Sequence, residues 1–167
     1  SPLQMSSVAA TVANSGKSYR PRLIDKVAMG STGEFAEDPY PKTQRTGVTG
    51  ITPAQVETIR KGMWQVVNEA GGTARRARNE NWITAGKTGT AQAFRNGKKE
   101  NHAWFISYAP YDRPQLEVCT FVMNAKSGGG CAAPIAARII EQTMAMRKKG
   151  LKPDLKAMTE ATGGFDF

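Results

Sequence analysis

The chain has 167 residues, 40% of them hydrophobic, which is enough for one domain with a real core. Its net charge of +9 keeps nucleic acid, an anionic surface or an acidic polymer open as partners. The basic clusters Arg75, Arg76, Arg78 and Arg147, Lys148, Lys149 nevertheless lack the interleaved aromatics of single-strand binders. One His and two cysteines leave a protein-built metal site without ligands and give no disulfide framework, so Cys119 and Cys131 read as packed small residues.

Ser1-Pro2-Leu3-Gln4 forms a capping box with Pro at the first helical position, and Met5, Val8, Ala9 and Val12 recur at helical spacing until Gly16. This predicts a helix from about Pro2 to Asn14. Ser1 opens directly into that helix signal, so no signal peptide is read. No run of about 18 apolar residues is available to span a membrane. Tyr19 to Met29 leans toward β-structure but contains Pro21, which suits an edge or an irregular connection. Gly30 to Gly50 is polar and aperiodic and reads as an exposed loop.

Thr52-Pro53-Ala54-Gln55 repeats the capping box, followed by an apolar stripe of Val56, Ile59, Met63, Val66, Val67 and Ala70 that ends at Gly71-Gly72. The stripe reads as core. Thr73 is read as the cap of a short helix carrying Arg75, Arg76 and Arg78. A strand then runs from Trp82 to Phe94, interrupted by Gly86-Lys87-Thr88-Gly89-Thr90, and Asn96-Gly97 signals a tight hairpin. The returning strand covers about His102 to Ala109. His102 reads as structural, since no nucleophile or acid partner lies near it in sequence. Leu116 to Met123 is apolar at nearly every position, as a strand covered on both faces should be.

Ser127 to Gly130 reads as a flexible connection or a backbone-tight turn. A helix from about Ala132 to Lys148 follows, with Ile135, Ile139, Ile140, Thr143 and Met144 on one side. Residues from Gly150 onward lose periodicity and read as a tail. Consecutive antiparallel strands with helices before and after them predict an α+β fold.

Gly86-Lys87-Thr88 also ends like a phosphate-binding loop, but that motif requires Gly where Asn81 stands, and Trp82, Ile83 and Thr84 replace its flexible residues. A Lys-Thr-Gly strand motif of penicillin-recognising serine enzymes is the remaining reading. Gly71-Gly72-Thr73-Ala74, then Ala85 to Gln92, then His102 to Pro110 complete an ordered series. Together these resemble class B penicillin-binding proteins, from Ser1-Pro2-Leu3-Gln4 through Gly128-Gly129-Gly130 to the following helix. The family's Ser-x-x-Lys and Ser-x-Asn motifs are not in this sequence. The chain therefore resembles the C-terminal part of a transpeptidase domain, residues 1–149, without its nucleophile.

The resemblance implies a five-stranded antiparallel sheet between helical layers, three strands being supplied here. It implies a peptidoglycan D,D-transpeptidase acting through an acyl-serine, inhibited by β-lactams, with no cofactor. Lys87, Thr88, Gly89 and Thr90 would bind substrate, Lys87 acting on the acyl-transfer centre and the Thr90 backbone N–H giving half of the oxyanion hole. Implied partners are the D-Ala-D-Ala stem peptide, β-lactams, the N-terminal part of the same domain and other wall-synthesis proteins, with no nucleic acid. The implied location is outside the cytoplasmic membrane, with an anchor not in this chain. Two alternatives remain at this stage: a serine β-lactamase or penicillin-binding sensor, and a basic nucleic-acid-binding module.

Overall fold

Both capping boxes form, and each fixes where its helix begins. In the computed structural model, Ser1 Oγ accepts from the Gln4 amide at the start of α1 (Pro2–Ala13), and Thr52 does the same for Gln55 at the start of α2 (Pro53–Asn68). The structure describes residues 1–21, 27–29, 34–36, 44–45 and 50–150. The predicted tail at 150–167, apart from Gly150, and most of the predicted loop at 30–50 lie outside them.

Where the sequence suggested a β-leaning edge or irregular connection followed by a loop, four short strands pair. These are β1 (Ser18–Tyr19) with β4 (Gln44–Arg45), and β2 (Val27–Met29) with β3 (Glu34–Ala36), both antiparallel. Such pairings are too short to leave a periodic signature in sequence.

The main sheet has the order β5-β6-β7, antiparallel throughout, from β5 (Ala85–Arg95), β6 (Lys98–Ala109) and β7 (Leu116–Val122). Asn96 and Gly97 take φ of 50° and 73°, the left-handed pair that a two-residue hairpin needs, so β6 starts at Lys98, four residues before the predicted His102. α1 and α2 lie on one face, where Ala13 and Met63 close over Ala85 and Tyr108. On the other face, Ala133, Ala136, Ile140 and Met144 of α3 (Ala133–Lys148) cover Phe105 and Val118.

Three predicted stripes are corrected. In α2 the buried positions are Val56, Arg60, Met63 and Val67, while Ile59 stays 44% exposed: a charged side chain takes the inward position because two carbonyls await it there. In α1, Ala9 and Ala13 are buried, while Met5 and Val8 remain exposed. In α3, Ile135 and Ile139 are exposed, and the small Ala133 and Ala136 face inward with Ile140 and Met144. β7 is fully covered on one face only, at Val118 and Thr120, with the other positions half-buried.

Candidate active site

The Lys-Thr-Gly-Thr run lies in the first half of β5, and β5 pairs with β6 alone among the described strands. Its outer side therefore presents main-chain groups along a strand edge, the geometry into which an extended peptide can add. Alternation divides the side chains between the two faces of the sheet. Lys87 shares a row with Ile106 and Cys119, and Gly89 with Trp104 and Phe121. Thr88 and Thr90 fall on the opposite face, in rows with Phe105 and Ala103.

The glycines of this strand have packing reasons. A Cβ on Gly86 would lie 2.4 Å from the Phe105 ring, which leans across the strand to fill that place. On Gly89 it would lie 3.2 Å from Trp104 Cβ, tighter than ordinary contact. From the other face, Gly128 presses on Gly89: a Cβ on Gly128 would sit 2.7 Å from the Gly89 carbonyl oxygen and 2.3 Å from that of Trp104. The predicted connection at Ser127 to Gly130 is thus the backbone-tight one of the two readings. It is a π-helical turn over Gly128–Ala132, closed by Ser127 Oγ accepting from the Gly130 amide at 3.1 Å.

The polar groups can be placed one by one. Lys87 is exposed, and its ammonium donates to the Thr88 carbonyl at 2.7 Å. Thr90 is exposed beyond it. The Thr88 hydroxyl shares a 2.9 Å hydrogen bond with the hydroxyl of Thr73. This corrects the reading of Thr73 as a helix cap: the short 3-10 turn at Arg75–Ala77 starts from Ala74 without a side-chain cap, and the Thr73 hydroxyl is used on the strand instead. A cap signature and a turn-to-strand contact employ the same residue types, so sequence does not separate them.

The basic cluster next to Thr73 is partly tied down, with Arg76 donating to the Gly130 carbonyl at 3.3 Å and Arg75 to that of Ala70 at 3.4 Å. His102 lies inside β6, where its Nδ1 accepts from the Asn124 amide at 3.3 Å and its ring meets Phe121 edge-on. Those contacts are structural. Along the same face, burial pushes the Glu117 carboxyl up to about 7, with a hydrogen bond from Ser6 opposing it. Burial, then the neighbouring Glu117, raises the Cys119 thiol. Among the described residues no cluster of three metal-ligating side chains occurs, and no helix is long and apolar enough to cross a membrane.

Comparison with known proteins assigns the family. Residues 1–141 match the penicillin-binding protein transpeptidase domain, and the chain belongs to that family. It is 37% identical over 161 residues to the peptidoglycan D,D-transpeptidase MrdA of Haemophilus influenzae, covering 87% of this chain and 24% of that protein. With stage V sporulation protein D of Bacillus subtilis it shares 33% over 159 residues, covering 91% and 24%. These are class B relatives, as the motif series suggested.

Among solved structures, the D,D-transpeptidase domain of a peptidoglycan glycosyltransferase from Eggerthella lenta superposes with a TM-score of 0.72 at 26% identity, over 90% of this chain and 33% of that one. An imipenem acyl-enzyme complex of penicillin-binding protein A from Mycobacterium tuberculosis gives 0.71 at 26%, over 86% and 30%. The α+β fold is the one these domains share. The chain spans about a quarter of the length of the curated relatives it matches.

Proposed function

We propose that this chain is the substrate-binding part of a peptidoglycan D,D-transpeptidase, and that β5 is the strand against which the stem peptide lies. The supporting observation is the edge itself: a strand unpaired on its outer side among the described residues, bearing Lys87, Thr88 and Thr90 at one end. In the reaction, a serine hydroxyl attacks the D-Ala-D-Ala amide, its proton goes to the departing terminal D-Ala amine, and the resulting acyl ester is aminolysed by a neighbouring stem peptide. The negative oxygen formed at each step would meet the Thr90 backbone N–H. Lys87 supplies positive charge beside that centre, and the threonine hydroxyls receive the carboxylate of the substrate or of a β-lactam.

No Ser-x-x-Lys motif occurs in these residues, so the nucleophile comes from elsewhere in the domain. The isolated chain is accordingly not acylated by penicillin. Because cross-linking takes place in the wall, the domain works on the outer side of the cytoplasmic membrane, held there by a membrane anchor.

Second-order acylation by a fluorescent penicillin in the full-length protein tests the site. Lys87→Ala should slow it by about 100-fold, the loss expected for one group stabilising transition-state charge. An unchanged rate would leave Lys87 as an ordinary edge-strand lysine of the kind that guards against aggregation.

A further inference from the structure

Thr73 stands outside the Lys-Thr-Gly motif, yet its exposed hydroxyl lies 2.9 Å from that of the half-buried Thr88. We propose that Thr73 is a positioning residue for carboxylate recognition, setting the direction of the Thr88 proton. The inference rests on the reading of β5 as the substrate-binding strand.

A hydroxyl has one proton and accepts at its lone pairs, whereas a carboxylate only accepts. For Thr88 to bind a carboxylate, its proton must point outward, and its oxygen is then left to accept from a neighbour. Thr73 is the donor in reach. The resulting chain runs from the Thr73 hydroxyl to Thr88 Oγ1 and on to the carboxylate, each bond polarising the next. With Thr73 as acceptor, the Thr88 proton is turned inward and faces no carboxylate.

The surroundings hold both partners in this arrangement. The Thr88 methyl lies toward the glycine turn, with Cγ2 3.7 Å from the place a Gly129 Cβ would occupy, so its hydroxyl is turned to Thr73. Thr73 is itself pinned. Its carbonyl oxygen lies 2.0 Å from that same Cβ position, and the next residue, buried Ala74, donates its amide to the Val66 carbonyl at 2.9 Å. Gly72 before it fits only because it has no side chain, a Cβ there falling 2.4 Å from the Val66 oxygen. Three close backbone approaches place one exposed hydroxyl beside the strand.

The test compares acylation of the full-length protein by benzylpenicillin and by its methyl ester, which lacks the carboxylate. Thr73→Val should slow benzylpenicillin by about tenfold, as loss of the one hydrogen bond that supports the carboxylate contact predicts, and leave the ester rate unchanged. Thr73→Ser should restore the wild-type rate. In a Thr88→Val background, Thr73→Val should have no further effect, since it acts through the hydroxyl already removed.

Equal slowing of acid and ester, an undiminished effect in the Thr88→Val background, or no effect at all would overturn the proposal and leave Thr73 a structural brace. If thermal melting shows that Thr73→Val does not fold, Thr73→Ala is judged by the same criteria. The underlying site reading fails separately: it is lost if Thr88→Val leaves the preference for acid over ester intact, whereas loss of that preference with Thr73→Val silent sinks only the present inference.

Discussion

Arg60 ties the end of α1 to the turn after β6: its guanidinium donates to the Ala13 carbonyl at 2.6 Å and to the Tyr111 carbonyl at 2.7 Å, while only 7% of the residue is exposed. The same group lies 5.5 Å from the Tyr108 ring centre and 5.3 Å from that of Tyr111, with the Glu57 carboxylate 3.3 Å from Nε. Burial pushes the Tyr108 phenol up to about 12, against the opposing pull of Arg60, so it stays protonated.

Arg60→Met should therefore destabilise the chain by about 2–4 kcal/mol, because the buried Ala13 carbonyl and the half-buried Tyr111 carbonyl lose charged donors that an apolar side chain does not replace. Arg60→Lys should fall between, a single ammonium lacking the fork that reaches both oxygens. Urea unfolding of the three proteins gives the order directly, and equal midpoints would show that the two carbonyls find other donors.

The glycines divide into two groups with opposite expected signs. Gly129→Ala should destabilise by about 1–3 kcal/mol or more, because the new methyl meets the fixed Thr73 carbonyl rather than a movable side chain. Gly62 lies inside α2 with nothing within 4 Å of its Cβ position. Gly62→Ala should stabilise by about 0.5–1 kcal/mol through helix propensity. Thermal melts that move in the same direction for both would contradict the packing described.

Glu117 gives a pH dependence of defined sign. Its carboxyl is raised from 4.5 to about 7 in the fold, so the native chain holds a proton that the unfolded chain releases across that interval. Stability should then fall as pH rises from 4.5 to 7 and level off above it. Glu117→Gln should remove this slope and match the wild type at pH 4.5 while exceeding it at pH 8. Melting temperatures across that range check it, with a carboxyl NMR titration placing the midpoint.

Thr90→Val separates backbone from side chain at the proposed oxyanion position. The N–H is retained and only the hydroxyl is lost, so acylation by penicillin should slow by about tenfold, less than for Lys87→Ala. A loss as large as that of Lys87→Ala would move the chemistry from the Thr90 backbone to its hydroxyl.

The long elements were legible because local signals and periodicity agreed. Ser1 with Gln4, Thr52 with Gln55, and Asn96-Gly97 each specify a geometry that short-range chemistry alone satisfies. Burial was read less well. Arg60 in place of Ile59, and Ala133 and Ala136 in place of Ile135 and Ile139, follow from what lies opposite each helix, and that is set by distant residues such as Ala13, Tyr111 and Phe105. At the site, the Lys-Thr-Gly run was visible as a motif. The partnership of Thr73 with Thr88 was not, because a hydroxyl fifteen residues away carries no spacing rule.

The atoms that a side chain on Gly128 would meet first are all main chain: the carbonyl oxygens of Trp104 and Gly89 and the Gly89 nitrogen. Side-chain packing can be loosened or tightened in small steps as one residue replaces another, but two backbones in touch offer no intermediate sizes. Saturation mutagenesis across Gly128 and Gly129 should therefore find positions that accept glycine and nothing else, while Gly71, with nothing near its Cβ position, accepts many residues. Selection acting on the edge strand would have to work around this floor, through neighbours such as Trp104 or Thr73, because the floor itself cannot be graded.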